Sequence, residues 1–414
     1  MSRLSKIGRV ACVVAPLAVA GWSGSARAVG FTEPELWVDN YGYNAGGWRV
    51  ERHPRTLADV DDDGLMDIVG FGNDGVFVSR SDGEQFELPE LWVENFGYDA
   101  GGWRVERHVR VTADVNGDDL MDVVGFGDDG VYVARSTGEG FRNVRRWITN
   151  YAYNAGGWRI ERHLRMLGDV TGDGRDDVVG FGDDGVYVSR STGGTFRAAR
   201  RWVANYAYNA GQWRVERHPR TLADVDDDGR LDIVGFGNDG VYVSLATGNG
   251  FTEPERWVAN YGYNAGQWQT SRHLRLLGDV DGDGMPDIVG FGNAGVYVSL
   301  STGTEFTEPE LWVENYAYQA GQWRVERHPR MLGDVNADGM MDIVGFGNDG
   351  VYVSLSTGTE FEEPRLVVAN FGYVAGGWRV ERHPRMLADV DGDGLVDVVG
   401  FGNDGVYVSR SREY

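Results

Sequence analysis

Trp37-Val38-Asp39-Asn40-Tyr41-Gly42-Tyr43-Asn44-Ala45-Gly46-Gly47-Trp48-Arg49-Val50-Glu51-Arg52-His53 decides the fold, because the chain writes this stretch seven times. Its first tryptophan returns as Trp92, Trp147, Trp202, Trp257 and Trp312, and as Val367 in the seventh copy, each 55 residues after the last. Its second tryptophan keeps the same beat at Trp103, Trp158, Trp213, Trp268, Trp323 and Trp378. All seven histidines of the chain fall at one repeat position. No insertion or deletion separates the copies, which begin near residues 31, 86, 141, 196, 251, 306 and 361. A fixed period of this length signals a repeat architecture rather than two or three separate domains.

Each unit reads as four short strands. Arg55 to Val60 is apolar and extended, and an Asp/Gly turn follows it. Asp67 to Gly72, Gly75 to Ser79 and Glu90 to Asn95 then make three more β-rich runs separated by turn residues. Four strands per period is the pattern of a propeller blade. The ends of the chain add to this. The first unit opens on a fourth-type strand, Leu36 to Tyr41, with no three before it; the last stops after a third-type strand, Gly405 to Ser409. A ring resolves both, since closure pairs the two orphan strands and removes a raw sheet edge. The expected fold is all-β: a seven-bladed β-propeller of four-stranded blades over residues 29–414, its N-terminal strand closing the last blade.

Residues 1–28 read as a signal peptide. Arg3, Lys6 and Arg9 precede a short apolar run from Val10 to Trp22, and Ala26-Arg27-Ala28 supplies a cleavage site, so a secreted protein is expected. The run is too short for a membrane span of about 20 residues. The only cysteine, Cys12, and the only lysine, Lys6, leave with it, so the mature chain has no disulfide and its fixed cations are all arginine. Losing four basic and no acidic residues takes the formal charge from −24 to −28. That acidity argues against nucleic acid or an anionic membrane as partner.

Between the first two strands lies Asp59-Val60-Asp61-Asp62-Asp63-Gly64-Leu65-Met66-Asp67. Four carboxylates recur at these offsets as Asp224, Asp226, Asp228 and Asp232, as Asp279, Asp281, Asp283 and Asp287, and as Asp389, Asp391, Asp393 and Asp397. The spacing D-x-D-x-D-G-x-x-D resembles the calcium hairpin loops of FG-GAP and VCBS-like propeller repeats. Alternate side chains there converge on one point, and hard oxygens can wrap a calcium ion that takes about six to eight of them. Asp and Gly also make tight turns with no ion at all. Against that stands the repulsion of neighbouring carboxylates, roughly 0.7 kcal/mol per pair at about 6 Å in water. Asn116 with Asp119, Thr171 and Asn336 weaken three copies, so the all-aspartate loops are the expected calcium sites, with a structural role and no catalytic one.

The segment from Asn40 to His53 joins the outer strand of one blade to the inner strand of the next, and so crosses the cleft between them. Its aromatic and polar side chains suit a sugar, which offers an apolar face to a ring and hydroxyls to Arg, His, Glu or Asn. The run N-Y-x-Y-x-A-G-x-W-R-V-E-R-H-P-R, followed by D-V-D-G-D-G-x-x-D-I-V-G-F-G-N-D-G-V-Y-V-S, resembles the Photorhabdus-type seven-bladed propeller lectins over all of residues 31–414. More distantly it is similar to fungal propeller lectins with integrin-like calcium loops. The resemblance implies carbohydrate binding between adjacent blades, with fucose-type or O-methylated sugars as ligands. The candidate contacts in the first unit are Tyr43, Trp48, Arg49, Glu51, Arg52 and His53. Their counterparts are Tyr98, Trp103, Arg107 and His108, then Tyr153, Trp158, Arg162 and His163, then Tyr208, Trp213, Arg217 and His218. The series continues with Tyr263, Trp268, Arg272 and His273, with Tyr318, Trp323, Arg327 and His328, and with Tyr373, Trp378, Arg382 and His383.

A tryptophan at a repeat position also serves inter-blade packing, and a repeated Arg-Glu pair also serves as a structural ion pair. In an extended segment, alternation puts Trp48 and Arg52 on one side and Arg49, Glu51 and His53 on the other; one side packs and the other faces the cleft. If the indole faces the cleft, Trp103→Ala removes one site and leaves the fold intact. The fifth unit reads Trp268-Gln269-Thr270-Ser271-Arg272-His273, without the Arg and Glu, and its cleft is expected to be weak. The seventh has Val367 and Val374 at two of the repeat's positions. One histidine per blade gives no shared zinc site. Sevenfold copying of every candidate group argues against an enzyme and for a multivalent lectin, in which weak contacts add through effective concentration. The alternative is a calcium-stabilised FG-GAP-like adhesion propeller that binds a protein. The oligomeric state is left open.

Overall fold

The computed structural model describes residues 29–413 and contains seven antiparallel four-stranded sheets. The expected leader, residues 1–28, lies outside the described residues. In the first blade the inner strand is Arg55–Ala58, followed outward by Asp67–Phe71, Val76–Ser79 and Glu90–Val93. The second strand is buried along its whole length, which suits its Ile-Val-Gly-Phe composition. The outer strand slips its register by one residue at Trp92. That bulge turns the indole inward, against Phe141 of the neighbouring blade at 5.1 Å and 64°.

The core lies between blades rather than within them. One cluster joins Trp37, Val38, Val399 and Phe401 of the last blade to Ile68 of the first, with Tyr41 and Trp48 from the connecting segment. The linker tryptophan makes this contact possible only over a bare backbone. At Gly70 a Cβ would meet the rings of Trp48 and Tyr41 at 2.6 and 2.7 Å. Arg55 wedges into the same seam, its Nη1 donating to the Tyr41 carbonyl at 2.7 Å and its guanidinium 5.5 Å from the Phe401 ring. Each of the other units repeats this arginine, buried in the same way.

Closure follows the expectation and adds to it. Glu35–Val38 pairs with Val406–Ser409 and completes the seventh blade. A further pair, Val29–Phe31 with Ser411–Glu413, was not foreseen. It replaces the bridge between Ser81 and Phe86 that closes the corresponding loop of the first blade. The seam also explains Val367. Every blade but the sixth pairs its outer tryptophan with a phenylalanine of the next, whereas at the sixth Val367 shares one cluster with Phe31 and the buried Val29. Among the described residues no helix is long and apolar enough to cross a membrane.

Candidate functional site

The inner strand of each blade starts at the linker and ends at the Asp turn, and the four strands alternate in direction. Linkers and second-to-third-strand hairpins therefore meet at one end of every blade, and Asp turns lie at the other. The linker anchors first on the blade it leaves: the Tyr43 and Asn44 N–H groups donate to Gly402 and Asn403 carbonyls at 2.9 and 2.8 Å. It then drops Trp48 onto the blade it enters.

Residues 49–53 are not extended. The His53 N–H donates to the Arg49 carbonyl at 2.6 Å, and the Arg49 N–H donates to His53 Nδ1 at 3.2 Å. This turn overrides the alternation expected from the sequence and brings the His53 ring to 5.5 Å from Trp48. With Nδ1 an acceptor, His53 Nε2 carries the proton and donates to Asn73 Oδ1 at 2.8 Å. Burial pulls the imidazole below its ordinary range, so it stays neutral at pH 7. The Trp48 N–H is likewise engaged, donating to Asn40 Oδ1 at 3.0 Å.

The same turn sends the arginines the other way. Arg49 donates to the Tyr43 and Trp48 carbonyls and lies 3.7 Å from the Tyr43 ring. Arg382 of the preceding linker covers Tyr43 at 5.0 Å. Tyr98, Tyr153, Tyr208, Tyr318 and Tyr373 are held similarly, by Arg52, Arg107, Arg162, Arg272 and Arg327 from the preceding linker and an arginine of their own. Tyr263 keeps only Arg217, because Gln269 replaces its own arginine. The candidate residues thus divide: Trp and His together at a pocket, Tyr and Arg in a belt beside it, and Glu51 exposed.

The pocket recurs. In the fifth unit it has about 280 Å³ and is lined by Asn260, Gly266, Trp268, His273, Gly292, Asn293, Ala294, Tyr297 and Pro309. In the third it has about 200 Å³, with Asn150, Gly156, Trp158, His163, Gly182, Asp183, Asp184 and Tyr187 at the same repeat positions. The fifth cleft, expected to be the weak one, is the larger of the two. Ala294 stands there in place of Asp184, and Gln269 in place of Arg159. The linker asparagine, the hairpin asparagine and the third-strand tyrosine were missed by reading the linker alone. The Asn260 amide oxygen accepts from Trp268 and Tyr261, and Asn293 Oδ1 accepts from His273, which leaves both amide nitrogens as donors. The second and third blades differ, with Asp128 and Asp183 at the hairpin position. Burial pushes the Asp183 carboxyl up, but His163 and Arg162, each bonded to it, hold it below its ordinary range.

At the other end, three of the four predicted carboxylates converge in each all-aspartate loop. Asp59, Asp61 and Asp67 bring ligand atoms within 4.8 Å of one another, as do Asp224, Asp226 and Asp232, Asp279, Asp281 and Asp287, and Asp389, Asp391 and Asp397. Asp63, Asp228, Asp283 and Asp393 stand outside these groups; each accepts the N–H two residues on, as at Leu65. Burial pushes Asp67, Asp232, Asp287 and Asp397 up to about 8. The Oδ1 atoms of Asp61 and Asp226 are buried with no hydrogen-bond partner. Such orphaned acceptors fit a hard cation. In the three weakened loops Asn116 donates to Asp122, Thr171 to Asp169 and Asn336 to Asp338, though Asp177 Oδ2 of the third blade is left without a partner.

Four-stranded blades closed into a ring, each with an Asp-rich turn, define a propeller of FG-GAP-like repeats, and residues 224–289 match the FG-GAP-like repeat family. Among solved structures, an Agrocybe aegerita lectin that specifically recognises non-reducing terminal N-acetylglucosamine is 39% identical, with a TM-score of 0.81 over 86% of this chain and 94% of that one. The chain belongs to the propeller lectin family of that protein. A Photorhabdus luminescens Tc holotoxin pore is 15% identical (TM-score 0.48, 87% of this chain and 17% of that one). A Bacillus licheniformis rhamnogalacturonan lyase is 12% identical (TM-score 0.44, 87% and 71%). No curated protein matches the chain.

Proposed function

We propose that this is an exported, multivalent lectin whose repeated pockets each take the terminal sugar of a glycan. The observation that carries the reading is the recurrence of one pocket, with indole, imidazole, tyrosine and amide groups at equivalent positions, in a chain 39% identical to a lectin. Tyr297 offers a ring for the apolar face of a pyranose, and the Asn260 and Asn293 amides offer donors to its hydroxyl or acetamido oxygens. The relative's ligand makes N-acetylglucosamine the first sugar to test; fucose-type and O-methylated sugars follow from the sequence resemblance. Trp268 and His273 form the floor and hold Asn293 in place.

The test is a glycan array, followed by calorimetric titration with the best monosaccharide. Asn293→Ala is expected to weaken the fifth site roughly tenfold, the worth of about one hydrogen bond, and to lower the measured stoichiometry by one site per chain. Unchanged stoichiometry would move the sugar away from this pocket. Absence of any glycan signal, with or without added calcium, would favour the second reading, a protein-binding adhesion propeller, which the FG-GAP-like match and the four Asp clusters support.

Calcium, on this reading, is structural. Asp224, Asp226 and Asp232 would hold it in the fourth blade and Asp279, Asp281 and Asp287 in the fifth. It would supply positive charge where carboxylates crowd, and lock the hairpin. The first and seventh loops carry an internal substitute, with Arg80 at 3.5 Å from Asp61 and Arg410 at 3.7 Å from Asp391. Leu245 and Leu300 occupy that position in the fourth and fifth blades. The fourth loop has Arg230 instead, but paired with Asp228 outside the converging group, so the groups of three in those two loops depend most on an external cation.

A further inference from the structure

The outer strands break the sevenfold symmetry. The five positions before the outer tryptophan read Thr307-Glu308-Pro309-Glu310-Leu311 in the fifth blade, and the first, fourth, sixth and seventh blades also carry proline and acidic residues there. The second blade reads Arg142-Asn143-Val144-Arg145-Arg146 and the third Arg197-Ala198-Ala199-Arg200-Arg201, with three arginines each and no acid. All six are exposed, and none enters an ion pair among the described residues.

The first blade shows what is missing. There Arg80 at the end of the third strand bonds to Glu87 at 3.1 Å. In the second blade the same two places hold Arg135 and Arg142, which face each other across the strands. In the third they hold Arg190 and Arg197, joined through their backbones at 2.8 Å. Like charges opposite one another cost stability, and an external anion removes that cost. The outer strand of the second blade is also longer, running seven residues, Arg142–Ile148, against four in the others, the proline-free third blade included.

From the outer strands of these two neighbouring blades we infer a docking strip for a linear anionic polysaccharide that carries sulfate or carboxylate groups and spans from one blade to the next. Arginine's planar fork matches both groups in two-pronged fashion. The net charge of −24 does not cancel the strip, because at physiological salt the field of distant carboxylates fades within about 8 Å. The residues between the arginines, Asn143, Val144, Ala198 and Ala199, include no ring on which a nucleic-acid base could stack, which favours the polysaccharide. The strip lies on the outer strands; its inner end reaches the pockets, where Arg201 donates to the Asp184 carbonyl and Arg146 lies opposite Tyr132. Arg142, Arg145, Arg197 and Arg200 are therefore the residues that test it apart from the lectin reading.

The experiment uses the full mature chain over immobilised dextran sulfate, with neutral dextran and duplex DNA in parallel. Retention on dextran sulfate, falling steeply with salt, is expected, with none on dextran. The variant R142E/R145E/R197E/R200E should lose roughly tenfold or more in affinity at 0.15 M salt, while its glycan-array profile stays unchanged. Its thermal unfolding midpoint should not fall, since Arg142→Glu and Arg197→Glu restore the arginine–glutamate pairing of the first blade. Equal binding by the variant, no preference over neutral dextran, or tighter binding to DNA than to dextran sulfate would each overturn the proposal.

Discussion

Trp103→Ala is expected to destabilise the ring by about 3–5 kcal/mol, the range for truncating a large buried aromatic, and to appear as a lower urea midpoint. The indole is 4% exposed and packs against Phe96 at 5.0 Å, His108 at 5.3 Å and Tyr132 at 6.2 Å. Its N–H donates to Asn95 Oδ1 at 3.1 Å. A Cβ added at Gly125 would lie 2.4 Å from the indole, which shows how little slack the seam has for collapse after truncation. Removing the ring therefore opens a cavity between two blades and leaves the Asn95 amide with one bond fewer. The sequence expectation that this substitution spares the fold is replaced: loss of a sugar site would accompany lost stability. An unchanged midpoint with one site fewer would instead make Trp103 a ligand contact and its packing incidental.

The fold was legible because periodicity is the strongest signal a chain can carry. Seven ungapped copies fix the blade count, and an orphan fourth strand at one end with a missing fourth at the other implies closure. The second clasp, Val29–Phe31 with Ser411–Glu413, was harder to see, because three residues at each end resemble a loop when read within one unit. The site was half legible. Trp268 and His273 were found, but the far wall comes from Asn293 and Tyr297, on a hairpin 20 and 24 residues after His273. The signal available was G-F-G-N-D-G, whose glycines mark a backbone that something approaches closely. Side-chain direction failed for a physical reason: no strand pairs with residues 49–53, so the Arg49 backbone bonds to His53 instead of a neighbour, and period-2 alternation does not apply. The basic strip was visible as letters, but it needs the ring order to become one surface.

In chelator, stability is expected to fall as pH rises from about 5 to 9, and calcium should reverse the trend. Burial is the leading cause that pushes Asp67, Asp232, Asp287 and Asp397 up to about 8, and Asp122 and Asp177 up to about 7. These folded values lie above the ordinary 3.8 of an aspartate. The folded chain therefore holds protons that the unfolded chain has released between those limits. That contribution is complete below about pH 4 and is lost as pH rises through 7 to 8, by up to ~1.4 kcal/mol per pH unit for each proton held. Calcium needs the ionised carboxylates, so it competes with those protons and binds better as pH rises. At about a hundred times its Kd, each occupied loop would add about 2.7 kcal/mol. Thermal unfolding from pH 5 to 9, with chelator and with calcium, reads both effects. Asp226→Asn with Asp281→Asn should erase most of the calcium gain, because the first and seventh loops already hold Arg80 and Arg410. Identical curves with and without calcium at pH 8 would remove the cation from these loops. A flat profile in chelator would mean that arginines and backbone N–H groups already keep the buried carboxylates ionised.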